Sequence, residues 1–322
     1  MHRALRTSPD TYRRDWKTGL TCFARWIANP VSAEGSAALA RAGLALSGPD
    51  TAAMVDRLRA DPAGQRLMRD RPSLGAALSD MPALAAMPPG SFGRAYHDFM
   101  DRPEVIPTAV LAAGLYHGGH IDRIGWSDDM IYLTDRMAHT HDLTHVLSAY
   151  GTSLPAEAIN IGFVIGIEGR PAGRALAEMF AAFTTSIFWP KVGARSWRAL
   201  LIAAFERGAA AARVQPWFMI PFEQLLCCPL DDVRRQLGIP ELADPVVAPE
   251  SWLRNPIGKA MAHGYGKAAG AGSSPEVKTA RQLALAGVSA RQLAELGPER
   301  FASMVDAFSS GASTDELLAD IA

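Results

Sequence analysis

The sequence predicts an all-α protein, a multi-helix bundle with a metal site between two antiparallel helices. Three observations predict the class. Alanine and leucine are abundant and β-branched runs are scarce, the composition of helices rather than sheets. Helix-start signals recur: Asp50 before Thr51-Ala52-Ala53-Met54, Asp61-Pro62, and Ser127-Asp128-Asp129, each offering an oxygen to the orphan N–H groups of a first turn. No Asn-Gly or Asp-Gly turn stands between alternating segments, so no hairpin is signalled. There is no convincing internal repeat.

With 322 residues, 48% of them apolar, the chain is long enough to bury a sizeable core. Its 32 basic and 33 acidic side chains nearly cancel, which leaves no basic field and makes nucleic acid an unexpected partner. Cys22, Cys227 and Cys228 form neither a disulfide framework nor a thiolate zinc pattern, so a reducing, intracellular location is the default expectation. A membrane-crossing helix needs roughly 20 consecutive apolar residues. The richest stretch, Ala175 to Trp189, is shorter and contains Glu178, and Leu200 to Ala212 is broken by Glu206 and Arg207. No apolar signal-peptide core follows the N-terminal arginines. Binding to a membrane surface stays open.

In chain order, residues 1–45 read as an N-terminal arm. Tyr12, Trp16, Leu20, Phe23 and Ile27 fall on one helical face, with Arg13, Arg14 and Lys17 mostly off it. Such a helix either rests on anionic lipid or a partner, or packs on the body of the protein. Residues 46–245 form the expected helical core domain. Residues 246–274 read as a linker ending in Lys-Ala-Ala-Gly-Ala-Gly-Ser-Ser. Residues 275–322 read as a small helical tail with capping boxes at Ser289/Gln292 and Ser313/Glu316.

The chemistry concentrates between Asp128 and Pro171. A helix is expected from Asp129 to Tyr150, opened by Ser127 and closed by Gly151. On it, His141 and His145 stand four apart and face one ion. Asp142 lies about 100° around from His141; it joins the same ion from the flank or holds an imidazole from outside the coordination sphere. Ser153 and Pro155 open the next helix and place Glu157 in its first turn, where the short connection brings it back opposite the histidines. Two imidazoles and up to two carboxylates suit zinc, and equally fit iron or manganese. Ile159 to Ile167 is almost wholly apolar, a setting in which a buried His-Asp-His group needs a partner or a metal. The zinc-protease motif is excluded, since Asp142 stands where that chemistry needs Glu. An HD-type phosphohydrolase would need further ligands from His97, His117, His120 or His139, each better read as a surface or structural histidine. Met179, Phe180, Phe183, Ile187, Phe188 and Trp189 either line an apolar slot or form an ordinary core stripe.

His141-Asp142-Leu143-Thr144-His145, then eleven residues, then Glu157, resembles the signature of the coenzyme Q biosynthesis protein 4 family. Gly169-x-Pro171 resembles the family's turn after the Glu-bearing helix. Phe222-Glu223, Pro229-Leu230, Val233-Arg234 and Leu237-Gly238-Ile239 resemble its closing helix, and Gly90-Ser91-Phe92-Gly93-Arg94-Ala95-Tyr96 with Phe99-Met100 resembles its Gly-(Ser/Thr)-Leu-Gly stretch. The likeness covers about residues 50 to 242. It departs at Pro221-Phe222, where the family usually has an aromatic pair.

The resemblance implies an all-helical fold with zinc held by His141, Asp142, His145 and Glu157. It implies ubiquinone biosynthesis on a polyprenylated 4-hydroxybenzoate-derived ring: loss of the C1 carboxyl group, coupled to hydroxylation in an oxidative version. Asp142 or Glu157 would then serve in proton transfer. The implied partners are the prenylated quinone precursor, a membrane surface and other ubiquinone-pathway enzymes, with a homo-oligomer expected. The implied location is cytoplasmic on the inner face of the cell membrane, or the mitochondrial inner membrane in a eukaryote. The competing expectation is a non-catalytic prenyl-lipid-binding scaffold with a structural ion. An HD-type phosphohydrolase ranks third.

Overall fold

The computed structural model describes residues 12–28, 33–102, 105, 125–169, 173–242, 248–269, 275–286, 288 and 290–321. Among these, every regular element is helical, and extended pairing is limited to isolated bridges between Ser91 and Pro229 and between Pro190 and Leu253. The all-α class holds. In chain order the helices are α1 (Trp16–Ala28), α2 (Ala33–Ala60), α3 (Pro62–Asp70), α4 (Leu74–Ser79), α5 (Met81–Ala85), α6 (Phe92–Met100), α7 (Asp128–Ala138), α8 (His141–Ser148) and α9 (Leu154–Ile167). They continue with α10 (Gly173–Phe188), α11 (Ala194–Val214), α12 (Phe222–Leu225), α13 (Leu230–Gln236), α14 (Pro256–Ala269), α15 (Pro275–Leu285), α16 (Ala290–Glu295), α17 (Gly297–Ser309) and α18 (Thr314–Ala319). None is long and apolar enough to cross a membrane.

The helices gather into two compact units, each discontinuous in sequence: residues 1–83, 106–140 and 273–322, and residues 84–105 with 141–272. In the first, α1 packs along α2, and the expected arm boundary at residue 45 falls inside α2. Asp50 does not start a helix. Its carboxylate is held by two Arg14 hydrogen bonds of 2.7 and 2.9 Å, and α2 runs on through Pro49. The face α1 buries is also rotated from the expected one. Cys22 and Phe23 pack against Ala38 and Ala42, while Trp16 and Leu20 stay 60% and 61% exposed. The reason is Gly19, whose missing side chain lets Leu46 pack against the α1 backbone; an added Cβ would stand 2.6 Å from Leu46 Cδ2. Asp61 and Ser127 cap α3 and α7 as expected. In the tail, Ser313 and Glu316 form the expected capping box and Leu283, Met304 and Leu317 are buried; Ser289 lies outside the described residues.

The second unit centres on α9, which crosses α11 at very close range. A Cβ added at Gly208 would meet Phe163 O at 2.1 Å, and one at Gly166 would meet Phe205 O at 2.2 Å. Two helix backbones touch there, and only glycine permits it. Ile165, Ala177, Ile202 and Phe205 tie α9, α10 and α11 together. At the other side, α6 is fixed by backbone bonds to a distant segment: Phe92 N–H to Cys228 O (2.8 Å), Gly93 N–H to Leu226 O (2.7 Å) and Leu230 N–H to Gly90 O (2.9 Å). The expected linker is helical over Pro256–Ala269, and its residues 270–274 lie outside the described ones. Asn255 caps this α14, accepting from Ile257 N–H at 2.9 Å, and Ala262 is buried. A cap and tertiary burial override the glycines that made the segment read as flexible.

Candidate metal centre

The single helix expected over 129–150 is two helices, with His139 and Thr140 between α7 and α8. Side chains end the first. Thr140 Oγ1 donates to Met137 O at 2.8 Å, and His139 Nδ1 donates to Asp135 O at 2.8 Å, taking up carbonyls at a helix end. At the far end of α8, Ala149 rather than Gly151 adopts the left-handed conformation, with φ 60°. Arginines satisfy the orphan carbonyls of that end. Arg234 donates to Val146 O (2.8 Å) and Leu147 O (3.0 Å), and Arg207 donates to Ser148 O (3.0 Å). Two cations at a helix C-terminus also oppose its partial negative charge.

Ser153 opens α9 as expected, accepting from Ala156 N–H at 3.4 Å and donating to Ala248 O. Glu157 therefore sits in the first turn, facing α8. The structure brings His141, His145 and Glu157 together, with one ligand atom from each inside 4.8 Å of the others. Glu157 Oε2 is 3.3 Å from His145 Nε2 and 3.8 Å from His141 Nε2. Donor atoms about 2.0–2.1 Å from a tetrahedral zinc ion lie about 3.3 Å from each other; the Glu157–His145 separation matches this, the Glu157–His141 separation is wider at 3.8 Å, and the donor chemistry fits such an ion. Asp142 is outside this trio. It is buried, and its Oδ1 lies 3.2 Å from His141 Nδ1, on the ring's other side from Glu157.

Both ring orientations are set from behind. His145 Nδ1 faces the Tyr150 carbonyl at 3.3 Å, an oxygen that only accepts, so Nδ1 donates there and Nε2 is turned towards Glu157. Phe99 stacks on the same ring at 5.6 Å between centroids. Burial opposes a charge on His141, but the Asp142 hydrogen bond and the negative charges of Glu157 and Asp142 outweigh it and push the imidazole up to about 9. Tyr96 is buried near Asp142, and burial followed by that charge raises its phenol well above the ordinary value.

Several of these neighbours escape a reading of the motif alone. Asn160 is fully buried and its Nδ2 stands 3.1 Å from His145 Nε2; its only sequence signal is a polar residue three positions after Glu157 in an apolar run. Tyr96 and Phe99 come from the Gly90–Met100 stretch. His97 pairs with Asp98 at 3.1 Å and His139 bonds its own helix, neither joining the cluster, and His117 and His120 lie outside the described residues. In the aromatic stretch, Trp189 borders a cavity with Thr185, Ser186, Pro190 and Arg254. Met179, Phe183 and Trp189 are 68%, 38% and 64% exposed, and Phe180 packs on the core.

This is an all-α protein whose partly buried cluster of two histidines and one glutamate has the donor set of a divalent-metal site. The chain belongs to the Coq4 family: residues 15–243 match the family described as coenzyme Q (ubiquinone) biosynthesis protein Coq4. Among curated relatives, the mitochondrial ubiquinone biosynthesis protein COQ4 homolog of Bos taurus is 26% identical over 188 residues, 58% of this chain and 64% of its own. The mitochondrial ubiquinone biosynthesis protein coq4 of Pyrenophora tritici-repentis is 29% identical over 195 residues, 59% of this chain and 60% of its own. The match thus spans about three-fifths of these relatives' length. A solved structure from Nostoc punctiforme PCC 73102 covers 71% of this chain and 100% of its own at TM-score 0.47 and 16% identity, a loose likeness.

Proposed function

We propose that this protein acts in ubiquinone biosynthesis as a metal-dependent decarboxylase, removing the C1 carboxyl group of a polyprenylated 4-hydroxybenzoate-derived ring. The observation that carries the reading is the convergence of His141, His145 and Glu157 within 4.8 Å; membership of the Coq4 family supports the pathway. A divalent ion held there, zinc by donor set with iron or manganese as the other fits, would supply a Lewis acid for a carboxylate or phenolic oxygen. The chain's own contribution is orientation and proton handling. Asp142 holds the His141 ring through Nδ1, and Tyr150 and Phe99 hold His145. In decarboxylation the C1–carboxyl bond breaks, its electron pair stays on C1, and a proton must arrive there; Asp142 and Glu157 are the acid–base groups at hand. In the oxidative version molecular oxygen would be the two-electron acceptor and C1 would take a hydroxyl from water, so that the acid, oxygen and water give the phenol, carbon dioxide and hydrogen peroxide. The test is purification, metal quantification and incubation with prenylated substrate. Carbon dioxide release that is lost in Glu157→Gln supports the reading, oxygen uptake selects the oxidative version, and no release with zinc, iron or manganese overturns it.

One observation favours a second reading, a non-catalytic prenyl-lipid-binding scaffold bound to a membrane surface or to other enzymes of the pathway. Leu176, Met179 and Phe183 present an exposed apolar stripe at helical spacing on α10. His145→Ala separates the two. A catalytic site loses turnover in a folded chain, whereas a structural ion takes folding stability with it.

A further inference from the structure

His141, Thr144, His145 and Ser148 fall on one face of α8, at spacings of three, four and seven from the first. Glu157 and Asn160, three apart, face them from α9. The polar contacts in this layer run in one consistent direction. Thr144 Oγ1 spends its hydrogen on His141 O at 2.6 Å, so only its lone pair is left for Asn160. Asn160 must therefore present its amino group, and Nδ2 donates to Thr144 Oγ1 at 2.9 Å. Ser148 Oγ donates to Asn160 Oδ1 at 3.2 Å and accepts from Tyr150 N–H at 3.2 Å, which fixes the other end of the amide. The second Nδ2 hydrogen then points at His145 Nε2, 3.1 Å away. Two groups meet that nitrogen: Glu157 Oε2 at 3.3 Å, and the Asn160 amino group, whose orientation is fixed by Thr144 and Ser148 and which is satisfied only by a lone pair there.

We infer that Asn160 is a positioning residue that competes for the metal ligand His145: its amide N–H occupies the Nε2 lone pair, and His145 must give up that bond before it can ligate. The inference rests on the reading of the trio as a divalent-ion site. Asn160 is 0% exposed, so its released N–H has no water to turn to. Leaving a buried donor without a partner costs enough to weaken binding by about tenfold or more. Asn160 thereby sets how tightly the ion is held, and keeps His145 in the correct tautomer while the site is empty of metal.

The test uses the full-length protein and zinc alone. Zinc affinity is measured by chelator competition for the wild type, Asn160→Val and Ser148→Ala, with circular dichroism to establish that each is folded. Asn160→Val should bind zinc about tenfold more tightly. Ser148→Ala disturbs the same layer but keeps the Asn160 donor, and should stay within about twofold of wild type. Equal or weaker zinc binding by Asn160→Val overturns the inference, as does a matching change in Ser148→Ala. The His145 Nε2 nitrogen-15 shift of the metal-free wild type is a second readout that needs no variant: the value of a hydrogen-bonded lone pair is expected, and either a free lone-pair value or a protonated, N–H value sinks the idea. If the wild type binds no zinc, the metal-site reading itself fails; if wild type and variant bind alike, only the role of Asn160 does.

Discussion

Among single residues, His141 couples the site to pH. Its ring is held between Asp142 on Nδ1 and Glu157 on the Nε2 side, and it is pushed up to about 9 from an ordinary 6.5. A folded-state value raised above the unfolded one adds stability that is complete below about pH 6.5 and lost as pH rises through about 9. The metal-free chain should therefore lose stability across that window. A ligating imidazole must shed the same proton, so zinc uptake at pH 7 should release about one proton, and zinc affinity should climb about tenfold per pH unit from 7 towards 9. Calorimetry in buffers of different ionisation enthalpy counts that proton. Asp142→Asn removes the largest favourable influence on the charged ring and should shrink the release; zinc binding with no proton released by wild type contradicts the account. The four motif residues were legible from spacing and chemistry, and three of them converge. The placement of Asp142 on the back of His141 was not. A 100° offset on a helix allows either role, and the rotamer that decides depends on where Glu157 stands.

At the scale of helices, the starts were easier to read than the stops. Asp61, Ser127, Ser153 and Ser313 cap the helices they were expected to cap, because an N-cap is a local contact between neighbours in sequence. The end of α8 is a distant matter: Arg234 reaches Val146 O and Leu147 O across 88 and 87 residues. No local pattern announces that, and a helix this short has little intrinsic stability without it. Arg234→Met keeps the aliphatic stem and removes the donors. It should destabilise the fold by about 2–3 kcal/mol, since half-buried carbonyls lose charged partners, and it should weaken zinc binding by freeing the last turn of α8, which carries His145. Chemical denaturation and chelator competition measure the two effects. Normal zinc affinity in a destabilised variant would show that α8 is positioned by its packing alone. The misreading at Asp50 has a similar cause. A cap-like residue with a proline before it looks like a boundary, but Arg14 claims the carboxylate and the packing of α1 on α2 carries the helix past it.

For the whole molecule, the all-α class followed from composition, while the assembly of the site did not. Every group argued to hold or orient the ion lies in one unit, drawn from residues 84–105 and 141–272. Tyr96 and Phe99 arrive on α6, the histidines on α8, Glu157 and Asn160 on α9, Arg207 on α11 and Arg234 on α13. An ion that binds only when these segments are assembled must stabilise them jointly, by RT ln(1 + [L]/Kd), or about 2.7 kcal/mol at one hundred times Kd. Backbone amides that exchange through openings that break the site should then slow by about one hundredfold when zinc is added at that concentration. The slowing should be seen in α8 and α9, and also in α6 and α13, although neither of the last two supplies a ligand. Hydrogen exchange with and without zinc maps it, and His145→Ala should abolish it throughout. Protection confined to α8 would mean that the ion is held by the two histidines alone, and would remove Glu157 from the site.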